Sequence, residues 1–379
     1  MKTTQINLNN KKQVLDFLDL PFHIYKDIPQ WVPPLRMDER IRLNPKRYPF
    51  YKHSQAGFFL AYKGNRVVGR IAAIDNRPYN EHNHSSTGFF YLFECEDDQE
   101  PADGLFEAAC GWARTRGLTK MLGPKGFTVL DGFGLLVKGF EHRPAFGLPY
   151  NLSYYPNLIE EAGFEPERDA LSAHISADIQ FPNRIHKLAE RIAYRRGLRI
   201  ARYRTRKDLR TFVPKMKELY NNALRGTAEN APITDHEVKM MADQLLRFAD
   251  PRLLKVVMKV SDSGNDEEPV GFLMAYPDIS AALQKTKGKL FPFGWITLLR
   301  EFKRTAWLNV NGAGLLPEYR GSGGTAILYS QLFKSVVETG QFQHAEIVQI
   351  GTENENMLRD LANFGVDFYK THRTYSQGL

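Results

Sequence analysis

Six residues, Arg320-Gly321-Ser322-Gly323-Gly324-Thr325, stand between a stretch patterned as a strand and a stretch patterned as a helix, and they restrict the fold more than any other part of the chain. The preceding stretch, Ala306 to Leu316, is apolar and alternates in its first half. After the turn, Leu328, Leu332 and Val336 recur every fourth residue, with Tyr329, Phe333 and Val337 beside them, and the pattern stops at Gly340. That spacing predicts a helix with one broad buried face. A glycine-rich turn that opens a helix leaves backbone N–H groups unpaired and aimed at one spot, where the helix dipole adds positive potential. Such a place takes phosphate oxygens. The plainer alternative is a glycine-rich helix start with no ligand. No Gly-Lys-Ser/Thr follows the turn, and a Gly-x-Gly-x-x-Gly with a later acidic residue cannot be placed on it, so neither a P-loop nor a dinucleotide fingerprint fits.

The run Pro317-Glu318-Tyr319-Arg320-Gly321-Ser322-Gly323-Gly324 resembles motif A of the GNAT acyltransferase superfamily, in which an Arg/Gln-x-x-Gly-x-Gly/Ala loop holds the pyrophosphate of acetyl- or acyl-CoA. Arg320 and Gly323 match; Thr325 stands where the superfamily has Gly or Ala, with Gly324 beside it to relieve crowding. A second stretch resembles motif B: a strand over Gln343 to Ile350, then Asn354 opening an apolar-spaced helix that closes at Gly365. Lys370 to Tyr375 is similar to the superfamily's last strand. The resemblance covers the C-terminal quarter of the chain without a break.

The first half repeats the plan. Phe58 to Tyr62 and Val67 to Ile74 read as strands joined by a hairpin at Lys63-Gly64-Asn65-Arg66, and Phe89 to Phe93 as a third strand. A helix from Ala102 to Gly117, a strand at Lys120 to Pro124 and a short helix from Tyr154 to Gly163 follow. In the second half, Pro269 to Ala275 is the counterpart of the Val-Gly-Arg-Ile-Ala strand, and Thr205 and Asp208 form a capping box before a helix. The expected fold class is therefore α/β, two tandem GNAT-like domains, each a mixed, mostly antiparallel sheet flanked by helices. The expected division is 1–180, a degenerate domain without a phosphate loop, and 181–379, the domain with the CoA pyrophosphate loop. At the corresponding place in the first half stand five carboxylates, Glu94, Glu96, Asp97, Asp98 and Glu100, which would repel a pyrophosphate. A solvated helix start is the reading preferred there over a metal or glycosidase-like site.

What the resemblance implies is an acyl-CoA-dependent N-acyltransferase, most simply acetyl transfer from acetyl-CoA to an amine by direct attack. The Leu315 N–H would polarise the thioester carbonyl and also count among the coenzyme contacts. The remaining coenzyme contacts would come from Arg320, Gly321, Ser322, Gly323, Gly324, Thr325 and Asn354. The superfamily's general-acid tyrosine falls on Leu361 here, so Tyr369, with Tyr375 as a further choice, is the expected substitute. Glu346 is the expected base, with Asp278 and Glu353 as other choices, although an amine arriving neutral needs none. The full-length pattern also resembles bacterial GNAT-like proteins linked to fatty-acyl transfer onto sphingoid amines. A long-chain acyl-CoA transferase acting on a lipid amine is thus one alternative, and a non-catalytic GNAT-fold binding protein is another. The acceptor would be a small-molecule or lipid amine.

Composition sets outer bounds. The chain has 379 residues, enough for two cores, with 42% hydrophobic and 25% charged residues. Two cysteines without metal-ligand spacing give neither a disulfide framework nor a metal site. No apolar run is long enough for a transmembrane span, and Met1 to Gln5 lacks a signal-peptide core, so a cytoplasmic location is expected. A net charge of +8 suits an anionic ligand. The cationic run Arg191 to Arg210 lacks the aromatic motifs of RNA binding, and nucleic acid is not expected as a partner. The segment 288–304 is apolar and aromatic, preceded by Lys285, Lys287 and Lys289 and ending in Arg300, Lys303 and Arg304. It reads as an insertion packed against the domain interface, as a peripheral membrane contact, or as the lining of a tunnel for a long acyl chain.

Overall fold

A computed structural model describes residues 1–128, 131–178, 182–223, 231–247, 249–260, 266–321 and 323–379. These residues gather into two compact units. The first comprises Met1–Leu171, Ser280–Leu298 and Lys370–Leu379, and the second Ser172–Ile279 and Leu299–Tyr369. The division is interleaved, where the sequence was expected to divide once near 180. Of the expected linker there, residues 179–181 lie outside the described residues.

The first unit runs β1 (Lys2–Gln5), α1 (Lys11–Ile24), α2 (Arg36–Arg42), β2 (Gln55–Lys63), β3 (Arg66–Asp75), α3 (Arg77–Asn83), β4 (Thr87–Cys95), α4 (Gln99–Arg114), β5 (Lys120–Gly123), β6 (Leu135–Lys138), α5 (Tyr155–Glu161) and the start of β7 (Glu165–Ser176). Antiparallel β2, β3 and β4 are bounded by β5, which runs parallel to β4 over Thr87–Phe89. The apolar stripe Ala102, Leu105, Phe106, Ala109 and Ala113 turns α4 onto this sheet, closing a core with Phe90, Phe93, Tyr155 and Phe164. Only Glu96, Asp97 and Asp98 separate β4 from α4. Asp98 caps the helix by accepting from the Glu100 N–H at 3.2 Å, and the carboxylates of Glu96 and Asp98 pair with Arg66 and Lys63. Glu94 departs from the solvated helix start expected from sequence. It is largely buried, accepts the hydroxyls of Tyr25 (2.6 Å) and Tyr155 (2.8 Å), and lies 3.7 Å from Arg70. Its carboxyl is pushed up by burial, opposed by Arg70 and the two tyrosines.

The second unit contains the end of β7, α6 (Asn183–Arg196), β8 (Leu198–Ile200), α7 (Arg206–Ala223), α8 (Asp235–Leu245), β9 (Lys255–Val260) and β10 (Glu267–Pro277). In chain order, α9 (Ser280–Thr286) and the first half of α10 (Gly294–Arg304) then belong to the first unit, and the second resumes at Leu299 with the rest of α10, β11 (Trp307–Leu315), α11 (Gly324–Thr339), β12 (His344–Gly351), α12 (Glu355–Asn363) and the start of β13 (Asp367–Gly378). Strand order in this unit is β7-β12-β11-β10-β9-β8, with β11 and β12 parallel. The residues Val257, Val270, Leu273, Val310, Leu328, Leu332, Ile347 and Leu361 make its core. The expected capping bonds at Thr205 and Asp208 are present, 2.9 and 3.1 Å. Val337, expected beside the buried face of α11, is 63% exposed.

The strand β13 returns to the first unit from Lys370 onward, pairing antiparallel with β5 (Tyr375↔Gly123) and with β6 (Arg373↔Leu135). It brings Tyr375 into the first core and a bidentate Arg373–Asp169 ion pair onto β7, at 2.7 and 2.9 Å. In exchange, Ser172–Ser176 of β7 belongs to the second unit, where the Ser172 hydroxyl accepts from the Gln349 N–H. Each unit thus takes its closing strand from the other half of the sequence.

Candidate functional site

Parallel strands β11 and β12 pair from Trp307↔His344 to Val310↔Ile347, and beyond that β11 is in register only with β10. The break coincides with a bulge: Leu273 faces Ala313 while Ala275 faces Val310, so Asn311 and Gly312 together stand opposite Met274 and β11 carries one extra residue. Gly312 takes φ +94°, a left-handed conformation that favours glycine. The first unit repeats the irregularity on β4, where Arg70 faces Glu94 but Ala72 faces Tyr91.

Past the bulge, antiparallel pairing decides which way the amides of β11 point. The Leu316 N–H donates to the Val270 carbonyl at 2.9 Å, in the same register as Leu315↔Gly271. Hydrogen-bonded and non-hydrogen-bonded pairs alternate in such a ladder. The Leu315 and Ala313 N–H groups therefore point away from β10, toward the edge that β12 has left. The Leu315 side chain tucks the other way: a Cβ on Gly271 would lie 2.4 Å from its Cδ2, and one on Gly324 2.8 Å from its Cδ1.

The chain then makes a single 3-10 turn, Pro317–Tyr319, and enters α11 through Gly321 (φ +63°) and Gly323 (φ +86°). Ser322 lies outside the described residues. Gly323 is the N-cap, no side chain among the described residues caps the helix, and the first helical bond runs from the Ile327 N–H to the Gly323 carbonyl. The Gly324, Thr325 and Ala326 amides thus precede the first helical donor. On α4, α8 and α12 a side chain does this work, Asp98, Thr234 and Asn354 respectively, whereas α2, α5 and α6 also start without one. A sixteen-residue helix opened by glycine, at the end of a strand whose neighbour has parted, suits a diphosphate.

The expected site residues divide into two groups. Leu315, Gly321, Gly323, Gly324 and Thr325 come together at the C-terminal ends of β11 and β12, and Asn354 shares that end as the cap of α12, accepting from the Met357 N–H at 3.3 Å. Arg320 is there as well, but its guanidinium turns back: Nε donates to the Leu315 carbonyl (3.1 Å) and one terminal nitrogen to the Ala223 carbonyl at the end of α7 (3.0 Å). It ties the loop down from within. Glu346 and Tyr369 are not brought to this end. Glu346 is buried opposite Asn309, six residues before Leu315 on β11. At about 3.3 Å per residue that is roughly 15–20 Å away. Tyr369 packs 5.9 Å from His174, which joins Trp307 and His344 at the beginnings of β11 and β12. Leu361, at the place of the superfamily's tyrosine, is fully buried in the core.

One hydroxyl at the bulge escaped the sequence reading. Tyr276 on β10 accepts a 3.0 Å hydrogen bond from the Asn311 amide nitrogen. Burial raises its phenol above the ordinary range, opposed by Asn311, so the proton stays on and is available to donate. An alternating apolar strand gives no sign of which tyrosine lies beside a bulge in its neighbour. Among the described residues, no group of three or more His, Cys, Asp or Glu side chains is placed to hold a metal ion.

No protein-family profile matches the chain. Over 379 aligned residues it is 28% identical to "Protein YghO" of Escherichia coli K12, covering 98% of this chain and 94% of that one. It is 29% identical to the "Bacterial ceramide synthase" of Caulobacter vibrioides over 374 residues, 96% of this chain and 94% of that one. Among solved structures, a tandem GNAT protein from the clavulanic acid biosynthesis pathway superposes with TM-score 0.58 at 12% identity, over 100% of this chain and 98% of that one. A GCN5-related N-acetyltransferase from Sphaerobacter thermophilus gives TM-score 0.51 at 12% identity, over 100% and 95%.

Proposed function

The chain has the tandem GNAT fold, and from that premise we propose that it is an acyl-CoA-dependent N-acyltransferase whose coenzyme site is the Leu315–Thr325 corner. The observation that carries this is the glycine N-terminus of α11, uncapped by any side chain among the described residues, beside the edge of β11 that β12 has left. A coenzyme diphosphate would meet the Gly324, Thr325 and Ala326 amides, and its pantetheine arm would add to the bare edge of β11 as a short strand adds to a sheet. The thioester carbonyl would take the hydrogen bond from Leu315 or Ala313. Tyr276 pairs with Asn309 through its backbone, but its hydroxyl reaches Asn311 at the bulge, and in this reading it replaces Tyr369 as the group that returns a proton to the leaving thiolate. No carboxylate need act as a base if the amine arrives neutral. The first unit takes no coenzyme at its own corner in this reading, since the three residues there are closed by a side-chain cap and two ion pairs.

Acetyl is the simplest acyl group. The name of the Caulobacter relative supports the alternative, a long-chain acyl donor and a lipid amine acceptor. A thermal-shift series with free CoA, acetyl-CoA and palmitoyl-CoA separates the cases, because stabilisation grows with ligand over its dissociation constant. Shifts with all three, followed by thiol release from acetyl-CoA when amines are added, support acetyl transfer. Shift and thiol release confined to palmitoyl-CoA with a long-chain amine support the lipid reaction. No shift with any of them removes the coenzyme site and leaves a non-catalytic binding protein.

A further inference from the structure

The helix α10 places Trp295, Leu298, Leu299 and Phe302 at i, i+3, i+4 and i+7, one apolar face, and Thr297, Arg300, Glu301 and Arg304 on the other. A surface helix patterned like this normally buries its apolar stripe. Here no residue of α10 is buried, and Trp295 and Leu299 are 47% and 51% exposed. The loop before it adds Phe291 and Phe293, 78% and 72% exposed. Six cations lie within 285–304, against the single acid Glu301, and Lys287, Lys289, Arg300, Lys303 and Arg304 are all exposed.

We propose that α10 and the loop before it lie on an anionic lipid surface, with Phe291, Phe293 and Trp295 entering the headgroup boundary and the flanking cations meeting lipid phosphates. A water-facing protein has no use for three neighbouring exposed aromatics, and a protein partner would not require so one-sided a charge. Basic residues around an apolar helical face are the signature of a helix that lies in the membrane plane. The apolar tip is presented on a fixed support. The Arg36 N–H donates to the Gly288 carbonyl (3.1 Å), and Gln284 donates to the carbonyls of Pro29 (2.7 Å) and Trp31 (3.1 Å). The Trp295 indole N–H is bound to the Pro292 carbonyl at 3.1 Å, so the exposed ring has its donor satisfied. Insertion therefore requires little reordering of the loop. Among the described residues, no helix is long and apolar enough to cross a membrane, so the contact is with one leaflet.

The test uses the full chain without coenzyme, so its outcome is independent of the acyl-transfer reading. Co-sedimentation is measured with vesicles of phosphatidylglycerol and phosphatidylcholine and with vesicles of phosphatidylcholine alone. The expected result is binding to the anionic vesicles, at least tenfold weaker in the double variant Phe291→Ser/Phe293→Ser and weakened by salt, with the melting temperature of the variant unchanged. Absence of binding, or binding that the double variant leaves intact, overturns the proposal. So does concentration-dependent self-association that the same variant abolishes while vesicles remain unbound; the face would then belong to a second copy of the chain. A loss of palmitoyl-CoA affinity in the variant, again without vesicle binding, would assign the segment to the acyl chain and likewise overturn it.

Discussion

His372 offers a quantitative test of the strand that β13 contributes to the first unit. It is 1% exposed, its Nε2 lies 3.2 Å from the Pro149 carbonyl, and its Nδ1 is buried with no hydrogen-bond partner among the described residues. Burial, opposed by the Pro149 bond and helped by the charge of Lys370, lowers its pKa from 6.5 to about 4. Between those values the unfolded chain binds a proton that the folded chain refuses. The stability held above the unfolded value is therefore lost as the pH falls toward the folded one. At roughly 1.36 kcal/mol per pH unit, the loss from this one group is about 2 kcal/mol by pH 5 and about 3 kcal/mol by pH 4. His372→Gln keeps a donor for Pro149 and removes the titration. Urea unfolding of wild type and variant at about pH 7.5 and about pH 5 isolates the difference from carboxylates that titrate in both. Wild type should lose about 2 kcal/mol more than the variant over that interval. Equal losses would mean that His372 titrates normally and that β13 is not seated as described.

Further outcomes concern the corner at Leu315. Leu315→Pro removes the N–H without breaking a bond to β10, whereas Leu315→Ala keeps the N–H and loses packing; turnover of the proline variant should be about 100-fold or more below that of the alanine variant, as for a lost oxyanion donor, and equal rates would exclude the Leu315 amide. Gly323→Val forces a β-branched residue to φ +86° with its Cβ 2.1 Å from the Ile192 Cδ1, so coenzyme-dependent stabilisation should vanish in thermal-shift measurements; its survival would place the diphosphate elsewhere. Arg320→Ala should destabilise the chain by about 1–3 kcal/mol in urea unfolding, with or without coenzyme present, because two backbone carbonyls lose a charged donor. If the variant weakened coenzyme binding alone, Arg320 would be a direct phosphate ligand.

Local pattern carried much of the fold. The four-residue spacing of α11, its glycine stop, the hairpin at Gly64 and the capping bonds at Thr205 are decided by near neighbours, and a sequence displays near neighbours. The glycine opening of α11 at Gly323 was legible for the same reason, since a glycine run between a strand pattern and a helix pattern marks where the helix starts. Strand exchange was not legible. Which edge β7 or β13 joins depends on contacts hundreds of residues apart, and β13 hides Lys370 and His372 within a run that looks polar. Motif position also overstated side-chain roles. Arg320 occupies the expected place yet binds its own backbone, and Glu346 sits on the strand next to the site but at the paired end. The segment around α10 left burial and surface contact both open in the sequence, because an apolar run alone does not say which it will be; in the structure no residue of α10 is buried.

Giving the last ten residues to the first unit has a consequence during synthesis. A ribosome would release nearly the whole polypeptide before the N-terminal body could close, since β5 and β6 wait for Tyr375 and Arg373. The gap stays open until β13 has been made, and a stop codon placed before Arg373 would leave the portion made first without its closing strand.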